Sequence, residues 1–313
     1  MKQQISFYSK EPEVILFSKP KKTNKSSINS VFIFLFLWIT FTINLFGETT
    51  ARESSLLWKI EGDDIQTSYI FGTFHMISKN DFVLKDEVKN ALKGSDVLIL
   101  ELDMDDPAMG KEMMKTVQMK DGESLKSLLD KKTYKAVDSM LRVTAGQKLK
   151  RMKTFKPFFV SSMLVPAFID GTMVSYEVEL MTLARGENKE VLGLETVEEQ
   201  MAVFDSIPYQ QQANELAEMV LENEKTHKDF QNMTKLYKAE DIEGLYKTID
   251  DYHDSKKQID WILHNRNINW QSRIPEMIRD QSAFIGVGAG HLGGEKGIVQ
   301  LLRNAGYSVT PVK

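Results

Sequence analysis

The chain has 313 residues, enough for one large domain or two small ones, with 42% hydrophobic and 27% charged residues. A formal charge of −4 and a pI of 5.9 give no footprint for a nucleic-acid partner. There is no cysteine, which excludes disulfides, thiolate metal sites, cysteine nucleophiles and lipidated cysteines, so any metal site must draw on His, Asp or Glu.

The N-terminus differs in kind from the rest. Residues 1–30 read as a basic, disordered region that includes "KPKKTNKSS" (19–27). The uncharged run "VFIFLFLWITFTINLFG" (31–47) follows, interrupted only by Asn44 and two threonines. A basic stretch ahead of such a run reads as a secretion signal. The run is slightly long for a signal core and slightly short for a spanning helix. Two outcomes follow: cleavage near Gly47, or a single membrane anchor with Lys19–Lys25 on the cytoplasmic side. Either way the remainder is expected to be exported, periplasmic or in the cell envelope, touching the membrane only through this segment. Residues 48–54 read as a linker, and the folded domain as 55–313.

That domain opens with two short β-like runs, "SLLWKIEG" (55–62) and "TSYIFGTFH" (67–75), around the polar turn "DDIQ". "LKDEVKNALKGS" (84–95) reads as an amphipathic helix with Gly94 just past its end. "DVLILEL" (96–102) is a continuous apolar run ending in an acid, as suits a strand covered on both faces. These make one β-α-β unit. Residues 105–182 look mainly helical, with Pro157 and Pro166 expected to break the run. "NKEVLGLETVEEQ" (188–200) returns to a strand followed by a helix, and residues 200–282 are again helical. "SAFIGVGAGHLGGEKGIVQLLRNAGYSVTPV" (282–312) is strand, glycine turn, helix and a last strand, a second β-α-β unit. The expectation is an α/β fold: a central mixed, largely parallel sheet with two pseudo-symmetric β-α-β units and large helical insertions at about 105–182 and 200–282.

The two units echo each other chemically. Gly72 and His75 close the second strand, and Gly288 and His291 close a late one, at the same spacing. Open α/β sheets bind ligands outside the carboxyl ends of their strands. His75, Glu101, Glu195 and His291 all follow predicted strands. If those strands are parallel, two imidazoles and two carboxylates converge on one edge, as a metal site of N and O donors or as a metal-free acid/base constellation. Gly72, Gly288 and Gly290 are expected to let the backbone turn sharply there. Thr196 and Glu199 form a capping box, which places Glu195 in a strand-to-helix turn. Bland readings stand beside these: a strand-end histidine finds ordinary hydrogen bonds readily, and Glu195 could merely complement a helix dipole.

Arg266, between two tryptophans in "WILHNRNINW", is a candidate clamp for a carboxylate or an oxyanion. The methionines at 104, 109, 113, 114 and 119 read as helical packing or a flexible surface. His227 and His253 lie in charged helical stretches and read as solvated; His264 is open. "GAGHLG" (288–293) matches a dinucleotide-binding turn, but the chain ends before the acid and further β-α units that such a fold needs.

"GTFH", "LELD", "LGLETVEEQ", "RNINW" and "GAGHLGGEKGIVQLLRNAGYSV" together resemble the TraB/GumN (TraB/PrgY) family over about residues 55–313. That family is related to the Tiki metalloproteases and more distantly to the erythromycin esterase and ChaN-like group. The resemblance implies an α/β domain whose paired Gly-x-x-His motifs and a glutamate form the active site, here Gly72, His75, Glu101, Gly288 and His291. Glu195 and Arg266 match further characteristic positions. By the Tiki branch, it implies metal-dependent cleavage of a peptide or protein substrate, with His75, Glu101 and His291 on a divalent metal, Mn or Co rather than Zn. Glu101 or Glu195 would handle the proton and Arg266 would steady substrate. By the TraB/PrgY branch, it implies a non-catalytic peptide- or pheromone-binding protein. By ChaN, haem binding, though no Tyr or His is clearly placed as an axial ligand.

Overall fold

The computed structural model describes residues 53–252 and 256–313. The expected basic region, the signal or anchor at 31–47, most of the linker and His253 lie outside the described residues. Among the described residues eight strands are present: β1 (Leu57–Glu61), β2 (Ser68–Thr73), β3 (Ile77–Ser78), β4 (Val97–Leu100), β5 (Met173–Val174), β6 (Val191–Gly193), β7 (Ala283–Gly288) and β8 (Ser308–Pro311). The helices are α1 (Asp86–Gly94), α2 (Met109–Thr116), α3 (Leu125–Leu128), α4 (Lys131–Ala145), α5 (Pro157–Leu164), α6 (Tyr176–Gly186) and α7 (Val197–Asp205) in the first two thirds. Then come α8 (Tyr209–Leu221), α9 (Asn223–Lys238), α10 (Ile242–Tyr252), α11 (Lys256–Ile259), α12 (Asn265–Met277) and α13 (Ile298–Asn304).

Six strands form one sheet in the order β6-β4-β7-β2-β1-β8. β6, β4, β7 and β2 run parallel, and β1 is antiparallel to both of its neighbours. This is the mixed, largely parallel α/β sheet that the apolar runs predict. Central strands covered on both faces need apolar residues at every position, and all four residues of β4 are buried. β7, which comes late in the chain, inserts between β4 and β2. The two Gly-x-x-His strands are therefore immediate neighbours, with Thr73 opposite Gly288.

The sheet carries the larger apolar core, including Ile70, Leu98, Ile99, Phe284, Ile285 and Trp270. A second cluster lies among α4, α5 and α8 and the segments around them, around Val137, Leu141, Val160, Leu164 and Leu216. The helical middle thus has a core of its own. Pro157 and Pro166 stand at breaks in that region, as expected: α5 starts at Pro157 and stops at Leu164, and Pro166 lies in the first turn of a short 3₁₀ helix, positions where proline forfeits no helical hydrogen bond. The run 207–230 is two helices, α8 and α9, parted at Glu222.

The glycine expectation needs correction. Neither Gly72, Gly288 nor Gly290 has a positive φ, so none makes a turn that only glycine allows. What they permit is close approach. A Cβ on Gly72 would lie 2.7 Å from Leu292 Cδ1 and 3.1 Å from Ala289 Cα; one on Gly290 would run into Ile249 Cδ1. Gly72 thus seats the turn that carries His291 directly on β2. Gly72→Ala is expected to cost about 1–3 kcal/mol through overpacking, read as a lowered urea midpoint; an unchanged midpoint would contradict this packing.

Candidate active site

Parallel pairing puts the carboxyl ends of β2, β7, β4 and β6 on one edge. Pairing continues past the last two: Leu194 N–H donates to Leu100 O at 2.8 Å and Glu195 N–H to Glu101 O at 3.0 Å. The backbones of Glu101 and Glu195 therefore lie side by side. The capping box of Thr196 and Glu199 forms as predicted, starting α7 directly after Glu195. His291 ends the short 3₁₀ turn Ala289–His291 that follows β7, and His75 lies two residues beyond β2.

All five predicted site residues come together. Arg266, from the first turn of α12, is the hub. Its Nη2 donates to Glu101 Oε2 and to Glu195 Oε1, both at 2.5 Å, and its Nε donates to Glu195 Oε1 at 3.0 Å. Its Nη1 donates to His291 Nε2 at 3.0 Å, and its guanidinium lies 4.7 Å from the Trp270 ring centre. A π-helical turn, Asp260–His264, immediately precedes α12. Such insertions rotate the following residues and recur at functional sites. Gln200 Nε2 bridges the same glutamates, donating to Glu101 Oε2 at 3.2 Å and Glu195 Oε1 at 3.1 Å.

The remaining Glu101 oxygen, Oε1, accepts from Gly288 N–H at 2.8 Å. A Cβ on Gly288 would lie 3.4 Å from both Glu101 Oε1 and His75 Nε2 and 3.7 Å from His291 Cδ2. The absent side chain of Gly288 thus leaves a small space that three predicted residues face.

Both imidazoles are held by Nδ1. Asn267 Nδ2 donates to His291 O and Lys296 O, so its Oδ1 is the acceptor for His291 Nδ1–H at 2.7 Å. That tautomer leaves the Nε2 lone pair to accept from Arg266. His75 Nδ1–H donates to Glu177 Oε1 at 2.7 Å, and Glu177 also accepts from Thr73 and Ser175. Glu177, Asn267, Gln200 and Thr73 were not among the predicted residues. Asn267 and Gln200 lie inside "RNINW" and "TVEEQ" but carry no pattern of their own. The only local sign of Glu177 is that it follows an N-cap serine, a placement shared by many dipole-complementing acids.

Of the other histidines, His264 is a satisfied core residue, bonded to Asp260 and Tyr246. His227 lies on α9, where its Nε2 bonds to Gln231. Met119 is buried in the second core, whereas Met114 is exposed.

The electrostatics sort the four titratable groups. Burial would raise Glu101, but the charge of Arg266, helped by the imidazoles and Gly288 N–H, holds it far below the usual carboxylate range. Glu195 shares that arginine, yet burial and the charge of Glu101 leave it raised. Arg266 therefore keeps Glu101 ionised, and Glu195 is the carboxyl that more readily takes a proton. Burial, then the charge of Arg266, lowers His291 to about 3, so it is neutral. His75 is opposed by desolvation but pushed up to about 9 by the hydrogen bond and charge of Glu177. At neutral pH the ring is therefore protonated on both nitrogens, and a cation bound at Nε2 would displace that proton.

These shifts predict the acid limb of stability. A histidine lowered from 6.5 to about 3 stabilises the fold above pH 6.5 and loses that contribution as pH falls toward 3. Glu177, lowered from 4.5 to about 2, loses its own share as pH falls from 4.5 toward 2. The urea midpoint should therefore start to decline below pH 6.5 and steepen below pH 4.5. A flat profile from pH 7 to 4 would contradict this assignment.

The donor chemistry fits a divalent cation that takes N and O ligands. It offers two Nε2 atoms on rings clamped at Nδ1, the usual outer-shell arrangement for metal-binding histidines, plus an ionised glutamate. His75 Nε2 and Glu101 Oε1 face the same space beside Gly288, while Arg266 takes the lone pair of His291. Among the described residues, no three His, Asp or Glu side chains already form a metal cage. Two clefts reach Glu195 from outside. One, of about 440 Å³, is lined by Leu102, Met109 and Glu276 among others; a smaller one is lined by Trp261, Asn265, Asn269 and Arg266.

The chain is 22% identical to Metalloprotease TIKI2 of Danio rerio over 317 residues, an alignment that covers 82% of this chain and about 60% of that relative's length. No solved structure matches it significantly. The model of the TraB/PrgY/gumN family matches residues 56–311, which takes in every strand of the sheet and each residue of the arginine-centred cluster, and the chain belongs to that family.

Proposed function

We propose that this protein is a metal-dependent hydrolase that cleaves a peptide or protein substrate outside the cytoplasm. The observation that carries the reading is the convergence of both Gly-x-x-His histidines and Glu101 around the space beside Gly288. The name of the zebrafish relative, a metalloprotease, supports the reaction class. The uncharged run at 31–47 supports export or anchoring; among the described residues no helix is long and apolar enough to cross a membrane.

On this reading His75 Nε2 and Glu101 would hold Mn²⁺ or Co²⁺, and His291 would join them through Nε2 once Arg266 Nη1 gives up its hydrogen bond there. Bound there, the ion would supply a Lewis acid and a water acidified toward neutral pH. Arg266 keeps Glu101 ionised and orients both glutamates. Glu195, whose Oε2 is the less engaged oxygen, holds and moves the proton. Its position on both clefts gives substrate a route to it.

The test uses the full-length protein stripped with chelator and offered a peptide library with and without Mn²⁺ or Co²⁺. Cleavage that returns only with metal is the expected result. Peptide retained without cleavage, and no bound metal on elemental analysis, would sink the hydrolase in favour of a peptide-binding protein.

A further inference from the structure

Glu177 lies outside the Gly-x-x-His motifs and the strand-end acids, yet both of its carboxylate oxygens are engaged. It enters from α6, at the end of the first helical insertion. Its side chain is only 10% exposed. Oε1 accepts from Thr73 Oγ1 at 2.6 Å and from His75 Nδ1 at 2.7 Å; Oε2 accepts from Ser175 Oγ at 2.7 Å. Thr73 is the last residue of β2, and Ser175 is the N-cap of α6. Two hydroxyls on two separate elements therefore fix the carboxylate, and the carboxylate fixes the ring.

A carboxylate only accepts, so the nitrogen that faces it must carry a proton. That leaves Nε2 as the one nitrogen of His75 turned toward the site, in the space it shares with Glu101 Oε1 beside Gly288. The ring cannot owe this aim to packing, because 63% of the side chain is exposed. His291 is different. It is 4% exposed, packed against Trp270, and needs only the neutral amide of Asn267 at Nδ1. The exposed imidazole has the charged, twice-tethered partner; the buried one has the neutral partner.

We propose that Glu177 is the positioning residue for His75. It sets the Nδ1–H tautomer and aims Nε2 at Glu101 across Gly288. What His75 then does rests on the hydrolase reading; the positioning does not.

The test is made on full-length protein carrying Glu177→Leu, whose side chain accepts no hydrogen bond, with Glu177→Asp beside it. The ¹⁵N pattern of the His75 ring, identified by its loss in His75→Ala and recorded above pH 9 where the ring is neutral, reports which nitrogen is protonated. Mn²⁺ alone, titrated by calorimetry, reports the ligand set. The parent should show Nδ1 protonated and Nε2 bare. Glu177→Leu should lose that preference and bind Mn²⁺ about 10–100-fold more weakly, the effect of removing an outer-shell partner. Glu177→Asp, keeping the charge, should retain the Nδ1 proton. Glu177→Leu with Nδ1 still protonated and unchanged Mn²⁺ affinity would overturn the proposal. If the parent binds no Mn²⁺, the metal reading falls and the ring pattern alone decides the role of Glu177. Should Glu177→Leu not fold, Thr73→Val with Ser175→Ala frees the carboxylate without removing its charge. A disordered His75 ring is then expected, and an ordered, unchanged ring overturns the assignment.

Discussion

Replacing Arg266 with methionine should destabilise the fold by about 3–5 kcal/mol at neutral pH, the cost of leaving buried charges without their partner. Methionine keeps an unbranched apolar stem against Trp270, so lost packing is small. What goes is one cation shared by Glu101 and Glu195, both nearly buried. The two glutamates then repel each other with only Gln200 between them, and His291 Nε2 loses its donor. Lysine should not rescue. Arg266 presents Nε, Nη1 and Nη2 to acceptors in three directions, and an ammonium lacks that planar fork. The sign of the pH dependence is testable in the same series. In the parent, the depressed Glu101 contributes stability above pH 4.5 that is lost as pH falls. In Arg266→Met Glu101 is raised instead and Glu195 rises further, so the gap between parent and variant should narrow as pH drops toward 4.5. Urea midpoints at pH 7 and pH 5 measure it. A gap that is constant with pH would mean that Arg266 acts through shape, not charge.

His75→Ala should do the opposite: remove turnover and leave the fold standing. Positioned acid–base groups are worth about 10²–10⁴ in rate, and a metal ligand at this position would be worth no less on the hydrolase reading. The stability change should stay within about 1 kcal/mol. The ring is mostly solvated, and Glu177 keeps the hydroxyls of Thr73 and Ser175. His291→Ala is the informative companion. It orphans Asn267 Oδ1 inside the protein and leaves Arg266 Nη1 only the Ile262 carbonyl, which costs about 1–3 kcal/mol on top of any loss of rate. Metal-restored peptide cleavage and thermal melts on both variants separate the cases. Full activity in His75→Ala would end the hydrolase reading at this site.

Much of the site could be read from strand ends alone. An apolar run that stops on a polar residue marks where a chain leaves a buried sheet, and four such stops named His75, Glu101, Glu195 and His291. Arg266 came from its setting between tryptophans. The expectation that Arg266 would clamp substrate is incomplete, however, because in the folded chain its donors are engaged by the site's own acids. Glu177 was not legible. It sits in a helical stretch of ordinary amphipathic pattern, and only the contact between α6 and the end of β2 makes it a partner of His75. Gly72 was legible as a special position but for the wrong reason: its missing side chain makes room for Ala289 and Leu292, and its backbone bends in no unusual way.

The sequence by itself determined the six strands of the main sheet, the capping box that starts α7, the echo of Gly72–His75 in Gly288–His291, and the restriction of any metal site to His, Asp and Glu; the short pair β3 and β5 it did not show. These follow from local rules, since burial periodicity, capping and residue chemistry act over a few neighbouring positions. Only the tertiary structure decided that β7 slides between β4 and β2, that Arg266 joins two glutamates and a histidine, and that Glu177 and Asn267 each hold one imidazole. The reason is that a hydrogen bond or an ion pair depends on distance in space. The partners here come from six separate stretches of chain, brought within hydrogen-bond reach by a sheet whose strand order no local pattern contains.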